Sequence, residues 1–182
     1  NVGTTGVPAT SAVSYTYGTS AAANNNGRLI TLTDGVGSES YTYDSFGNVT
    51  QLAKVIGATT YTTSYAYNLA NQLTQITYPS GRVVQQNADP IGRVSSVVGT
   101  FNSVNTTFAS GFVYNAAQQV TGFNYGNNVN VAFGYSSDRL QLTCLDYSTT
   151  SRSGNCAHDK STKFGLNYSF GSAGSNNGQI SG

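Results

Sequence analysis

Few side chains in this sequence can do acid–base, nucleophilic or metal chemistry. They are the carboxylates Asp34, Glu39, Asp44, Asp89, Asp138, Asp146 and Asp159, the single histidine His158, and the cysteines Cys144 and Cys156. Glycoside-type hydrolysis needs two carboxylates facing each other across a sugar. Asp34 and Glu39 are the pair best placed for it, because both flank one short turn, Gly35-Val36-Gly37-Ser38. A Ser-His-Asp arrangement would have to use His158 as its base. Asp159 and Ser161 stand beside it in sequence, but Lys160 and Lys163 mark a solvated loop, and adjacency along the chain is not triad geometry. Gly35-Val36-Gly37 lacks the helix pattern and the Lys-Ser/Thr pair of a phosphate loop.

The two cysteines have two readings. In a low-charge chain of exported character they form a disulfide that closes the polar stretch between them. With His158 and Asp146 or Asp159 they could instead bind zinc, but Cys-x11-Cys-x-His is not a familiar zinc spacing. We expect the disulfide, no metal and no cofactor. Asn48-Val49-Thr50, Asn105-Thr106-Thr107 and Asn167-Tyr168-Ser169 match the glycosylation sequon. In a chain this rich in Asn and Thr, such matches arise by chance.

The third candidate is a set of tyrosine rows. Tyr41 with Tyr43, Tyr65 with Tyr67, and Phe133 with Tyr135 each fall on one face of an alternating stretch. As a flat platform they would suit a polysaccharide. As cross-strand pairs they would hold strand register, and that is the preferred reading.

The elements that carry these residues follow from composition. Charged residues make up 8% of the 182, far below the roughly 25% of an average soluble domain. Solubility must come from Ser, Thr, Asn, Gln and Gly. Tyr, Thr and Val form strands, while Gly and Asn form turns. The formal net charge is +1 and there is no basic stripe, so nucleic-acid binding has no footing. No apolar run is long enough for a membrane-inserted helix.

A pattern then recurs along the chain. Tyr43-Asp44-Ser45-Phe46-Gly47-Asn48-Val49 is followed by Tyr67-Asn68-Leu69-Ala70-Asn71-Gln72-Leu73, then Ala88-Asp89-Pro90-Ile91-Gly92-Arg93-Val94, then Tyr114-Asn115-Ala116-Ala117-Gln118-Gln119-Val120. Tyr135-Ser136-Ser137-Asp138-Arg139-Leu140 is a shorter version. Stretched versions run from Tyr15-Thr16-Tyr17 to Asn26-Gly27-Arg28-Leu29, and from Tyr168-Ser169-Phe170 to Asn177-Gly178-Gln179-Ile180. Repetition at roughly 20 to 26 residues marks a repeat architecture. Each copy reads as a strand, a type I turn and a return strand. Asp or Asn opens the turn and Gly stands fourth. In one copy Pro90 fills the second position, where its fixed φ is already correct. Asp44, Gly47, Asn68, Asp89, Pro90, Gly92, Asn115 and Asp138 are the expected turn residues.

The recurring Tyr-Asp-x-x-Gly-Asn/Arg-Val/Leu resembles the YD repeat of Rhs-type proteins, which include bacterial Rhs toxins, shell components of insecticidal toxin complexes and the teneurins. The resemblance covers nearly the whole chain. It implies a long β-sheet strip coiled into a hollow shell, a scaffold rather than a protease. Rhs shells also carry a self-cleaving aspartate in a C-terminal core. Asp89-Pro90-Ile91-Gly92-Arg93 is superficially similar to that core but lies in phase with the other turns, and it reads as an ordinary repeat.

The expected fold is all-β, with tandem antiparallel hairpins forming a curved strip or partial shell. Residues 1–182 are one array of about seven repeats from a longer chain, and residues 143–163 a polar loop insertion closed by Cys144–Cys156. The expected function is a non-enzymatic module of an extracellular or surface scaffold or a toxin-encapsulating shell. Its partners would be neighbouring repeats of the parent chain, or further copies joined at sheet edges. The alternatives are a carbohydrate or cell-wall binding module on the tyrosine rows, a filament subunit, and a carboxylate hydrolase.

Overall fold

The computed structural model describes residues 11–150, 156–159, 161–171 and 174–181. It is all-β. Thirteen antiparallel strands lie in one sheet in strict sequence order: β1 (Ser14–Tyr17), β2 (Leu29–Thr33), β3 (Gly37–Tyr43), β4 (Val49–Ile56), β5 (Thr59–Tyr67), β6 (Leu73–Thr77), β7 (Val83–Ala88), β8 (Val94–Phe101), β9 (Val104–Tyr114), β10 (Val120–Tyr125), β11 (Asn130–Tyr135), β12 (Leu142–Ser148) and β13 (Thr162–Asn167). Every strand pairs with its sequence neighbours, so the chain is a run of hairpins, as the repeat predicts. Contacts cluster into two compact units, one of residues 1–85 with 100–103 and one of residues 86–99 with 104–182.

In the first unit the longest pairing joins β3 to β4, from Gly37↔Ile56 to Thr42↔Gln51, with a register shift before Tyr43↔Val49. The same shift recurs where β5 meets β6, between Ala66 and Tyr67. One extra residue on the return strand is a β-bulge, which strengthens the local twist. Few side chains here are deeply buried, because a lone sheet has two open faces.

In the second unit the two faces of β11 to β13 differ in chemistry. Val131, Phe133, Leu145, Tyr147, Phe164 and Leu166 share one face by register, while Ala132, Gly134, Cys144, Asp146, Ser148 and Gly165 share the other. Val131 and Ala132, back to back on β11, are both 0% exposed. On the small-residue face, the Cys156 sulfur lies 3.8 Å from the Ala132 carbonyl oxygen, and the His158 amide donates to Asp146 Oδ2 at 3.4 Å. That packing leaves Asp146 and Ser148 fully buried.

The expected loop over residues 143–163 is corrected here. Residues through Ser148 pair with β11 on one side and β13 on the other, so they are strand. The polar residues Asp146 and Ser148 hid this, since both are buried under the connection rather than facing water. The connection between β12 and β13 covers only residues 149–161, and its residues 151–155 and 160 lie outside the described ones.

Candidate functional site: the column of Tyr-Asx turns

Turns built from the repeat motif connect β3 to β4, β5 to β6, β7 to β8 and β9 to β10. They share one geometry. In the Asp44 turn the Asp44 amide donates to the Asn48 carbonyl (3.0 Å), and the Gly47 amide to the Asp44 carbonyl (3.1 Å). The same two bonds close Asn68–Gln72, Asp89–Arg93 and Asn115–Gln119. The residue before the last sits in the left-handed region each time: Gly47 at φ 92°, Asn71 at 59°, Gly92 at 85° and Gln118 at 65°. This is a three-residue hairpin loop, a type I turn followed by a bulge residue with positive φ. That position favours Gly, and Asn tolerates it.

The opening side chain locks the loop. Asp44 Oδ1 accepts from the amides of Phe46 and Asn48, both at 2.9 Å. Asp89 Oδ1 does so from Ile91 and Arg93, and the neutral oxygens of Asn68 and Asn115 do the same in their turns. The side-chain amide of Asn48 holds the Asp44 carboxyl below the usual carboxylate range, with the turn amides adding to it. The Arg93 amide does this for Asp89, with the Arg93 guanidinium helping through a 2.7 Å ion pair.

The sign of the pH effect follows. A depressed carboxyl binds fewer protons in the folded state than in the unfolded one, so stability rises with pH across that window. The contribution is complete above the unfolded carboxylate value of about 4 and is lost as pH falls through the folded values. Asp44→Asn with Asp89→Asn is expected to keep both turns, since Asn already builds two of them, and to flatten the acid limb of a denaturation-versus-pH curve. An unchanged acid limb would place the titration elsewhere.

Within each unit, turns are laced together through the tyrosine that precedes them; the Asp89 turn has Ala88 in that place. Tyr43 Oη donates to the Leu29 carbonyl (2.5 Å), Tyr67 Oη to Val49 (3.0 Å), Tyr114 Oη to Val94 (2.7 Å) and Tyr135 Oη to Val120 (3.0 Å). Each acceptor is the first strand residue after the previous motif turn. Burial raises the Tyr67, Tyr114 and Tyr135 phenols, which keeps them protonated as donors. The closing residue of each turn reaches forward as well. Arg28 Nη1 donates to the Gly47 carbonyl (3.3 Å), Asn48 Nδ2 to Asn71 Oδ1 (3.0 Å), Arg93 Nη1 to Gln118 Oε1 (3.2 Å) and Gln119 Nε2 to the Leu140 carbonyl (2.9 Å). In every case the receiver is the left-handed residue of the next turn. Arg28 and Arg93 also lie over the rings of Tyr43 and Tyr114, 5.4 and 4.4 Å from the centroids.

Tyr114→Phe and Tyr135→Phe each remove one such hydroxyl bond and leave a carbonyl without its donor. Each should cost about 0.5–1.5 kcal/mol in a denaturant titration. No change in midpoint would show that the lacing does not contribute.

Asp138 lies within its turn but does not open it. The turn between β11 and β12 is one residue longer, and Ser136 opens it, with Ser136 Oγ accepting from the Gln141 amide at 3.1 Å. Asp138 sits inside the loop and accepts from the Arg139 amide. The stretched first copy keeps the same closure, Gly18 amide to Arg28 carbonyl and Gly27 amide to Gly18 carbonyl, around a longer loop. Two turns on the opposite edge follow the three-residue pattern without an Asx opener. They are Tyr78–Arg82, with Gly81 at φ 80°, and Tyr125–Val129, with Asn128 at φ 65°. Pro79-Ser80-Gly81 was a readable signal for the first.

Asp34 and Glu39 do come together, in a shallow cleft lined also by Leu32, Val36, Lys54 and Ile56. Their partners leave them unsuited to proton transfer. Asp34 Oδ1 accepts from the Val36 and Gly37 amides, which hold its carboxyl low. Lys54 Nζ lies 2.7 Å from Glu39 Oε1, and the Tyr41 hydroxyl donates to Oε2 at 2.6 Å; both hold Glu39 low. The Tyr41 phenol is pushed up to about 12, first by Glu39 and then by burial. A glycosidase needs one carboxyl raised so that it stays protonated. Here both are lowered.

Cys144 and Cys156 form a disulfide with a Cα–Cα distance of 6.1 Å. Their sulfurs are therefore not thiolate ligands. Among the described residues no group of three His, Cys, Asp or Glu side chains could hold a metal.

No curated protein matches the chain. Solved structures of similar fold include TcdB2-TccC3-Cdc42, with TM-score 0.71, 16% identity, and 87% of this chain covered against 8% of that one. TcdB2–TccC3 itself gives TM-score 0.70 and 16% identity, covering 89% and 9%. The Photorhabdus luminescens Tc holotoxin pore carrying TccC3-D651A gives TM-score 0.67 and 16% identity, covering 82% and 8%. The chain thus spans under a tenth of those chains. The Teneurin YD-shell family model matches residues 5–114. That match spans more than half of the chain, which belongs to the Teneurin YD-shell family.

Proposed function

We infer that the chain is a wall segment of an exported, encapsulating β-shell and that it works by geometry rather than catalysis. The observation that carries this reading is the lacing of one turn to the next. The polar groups of the motif are used to brace consecutive hairpins. Tyr43, Tyr67 and Tyr135, candidates for a glycan platform, direct their hydroxyls into backbone carbonyls instead. Tyr41 gives its own to Glu39. The disulfide and the low charge suit an oxidising, extracellular setting.

The partner of such a wall segment is more wall. The outer strands β1 and β13 carry exposed apolar side chains, Tyr15 and Tyr17 on one and Phe164 and Leu166 on the other. Exposed strand edges pair with neighbouring chain, and charges placed on them block the pairing. Electron microscopy with sedimentation at several concentrations tests the reading. Shell fragments or edge-joined strips are expected, and Tyr15→Lys with Phe164→Lys should shift the material toward monomer. A strictly monomeric chain that hydrolyses or retains polysaccharide would overturn it.

A further inference from the structure

Tyr125 and Tyr147 are arranged unlike the lacing tyrosines. Tyr125 ends β10 and Tyr147 lies in β12, with β11 between them. Their rings stack nearly parallel, 6.4 Å between centroids with 10° between planes. They belong to an aromatic row in which Phe123 packs edge-on to Tyr125 at 4.9 Å and Phe164 lies 6.0 Å from Tyr147. Val131, on the strand between, is fully buried, so the two rings close over it. Burial, with Tyr125 beside it, raises the Tyr147 phenol and keeps it protonated. In a phenol the carbons ortho to the hydroxyl flank it directly. Two nearly parallel phenol rings at this separation can couple through their ortho carbons after small side-chain rotations. Tyr125 is 38% exposed, enough for an oxidant to reach it.

We propose that Tyr125 and Tyr147 are a site of oxidative cross-linking, joined as dityrosine by a peroxidase-class one-electron oxidant with hydrogen peroxide as the terminal acceptor. Each phenol gives up one electron and its hydroxyl proton. The two phenoxyl radicals form a carbon–carbon bond between ortho carbons. Each ring then loses its ortho hydrogen as a proton and regains a proton on oxygen, restoring aromaticity. The protein loses two hydrogens in total, and one hydrogen peroxide becomes two waters. The product is a covalent brace across β10, β11 and β12 that does not depend on their hydrogen bonds. Such a brace would stiffen a wall exposed to oxidising surroundings.

The test treats the purified intact chain with peroxidase and hydrogen peroxide and follows dityrosine fluorescence, intact mass and cross-linked peptides. We expect a monomer lighter by two hydrogens, with one cross-linked peptide pair containing Tyr125 and Tyr147. Tyr125→Phe and Tyr147→Phe, which keep the ring packing, should each abolish it. Tyr61→Phe, which removes an exposed tyrosine on β5, should leave it unchanged. Absence of product, persistence in either Phe variant, cross-links spread over other tyrosines, or dimers in place of the intramolecular product would each overturn the proposal.

Discussion

Replacing Cys144 and Cys156 by alanine is expected to lower stability by about 2–3 kcal/mol, the cost of releasing a short closed loop in the unfolded chain. The effect should concentrate in the second unit. The disulfide ties the connection after β12 back onto the sheet, where Cys156 and His158 cover Ala132 and Asp146. Without it, fully buried Asp146 and Ser148 gain access to water, and the strand pairing of β12 with β13 loosens. Denaturant titration under oxidising and reducing conditions measures this. Limited proteolysis locates it, with new cleavage expected between β12 and β13. Equal midpoints and an unchanged digest would show that packing alone holds the connection.

Gly37→Ala and Gly126→Ala are expected to cost about 1–3 kcal/mol each, the usual range for overpacking. A methyl at Gly37 would fall within the van der Waals envelope of the Val55 carbonyl oxygen, and one at Gly126 within that of Thr107. Both obstacles are backbone of the neighbouring strand, which no rotamer change can move aside. The strands must part, opening the β3–β4 pairing near Gly37↔Ile56 and the β9–β10 hairpin where the Gly126 amide bonds the Phe108 carbonyl at 2.9 Å. Gly174→Ala is the control for steric crowding, because a methyl there meets nothing within 4 Å and its backbone is outside the left-handed region. Amide exchange should show local loss of protection at the first two sites. Wild-type protection there would mean that the pairing adapts.

The motif turns were legible because their chemistry is local. An Asx side chain bonding amides two and four residues on, with a left-handed residue before the turn closes, needs only a few consecutive residues, so Asp44, Asn68, Asp89 and Asn115 could be placed by type and spacing. Where the local signal was shared among neighbours it misled. Ser136 and Asp138 both suit a turn, and only the added residue in that loop gives the opening position to Ser136. The strand β12 was hidden for a different reason. Its polar residues read as loop until β11, β13 and the disulfide-tied connection bury them.

By itself, the sequence determined the all-β class, the sequential hairpins, the motif turns and the disulfide, because alternation, turn chemistry and cysteine spacing act over short stretches. Only the tertiary structure decided what the tyrosines do. Tyr43 reaches Leu29, Tyr114 reaches Val94, and Tyr125 stacks on Tyr147. These partners lie 14 to 22 residues away, and whether a phenol faces a carbonyl, a carboxylate or a second ring is fixed by strand register and bulges that bring distant backbone within reach. For Glu39 the same holds in part. Its proximity to Asp34, the Val36 and Gly37 amides on Asp34 and the Tyr41 hydroxyl are local, but Lys54 reaches it only because β3 pairs with β4.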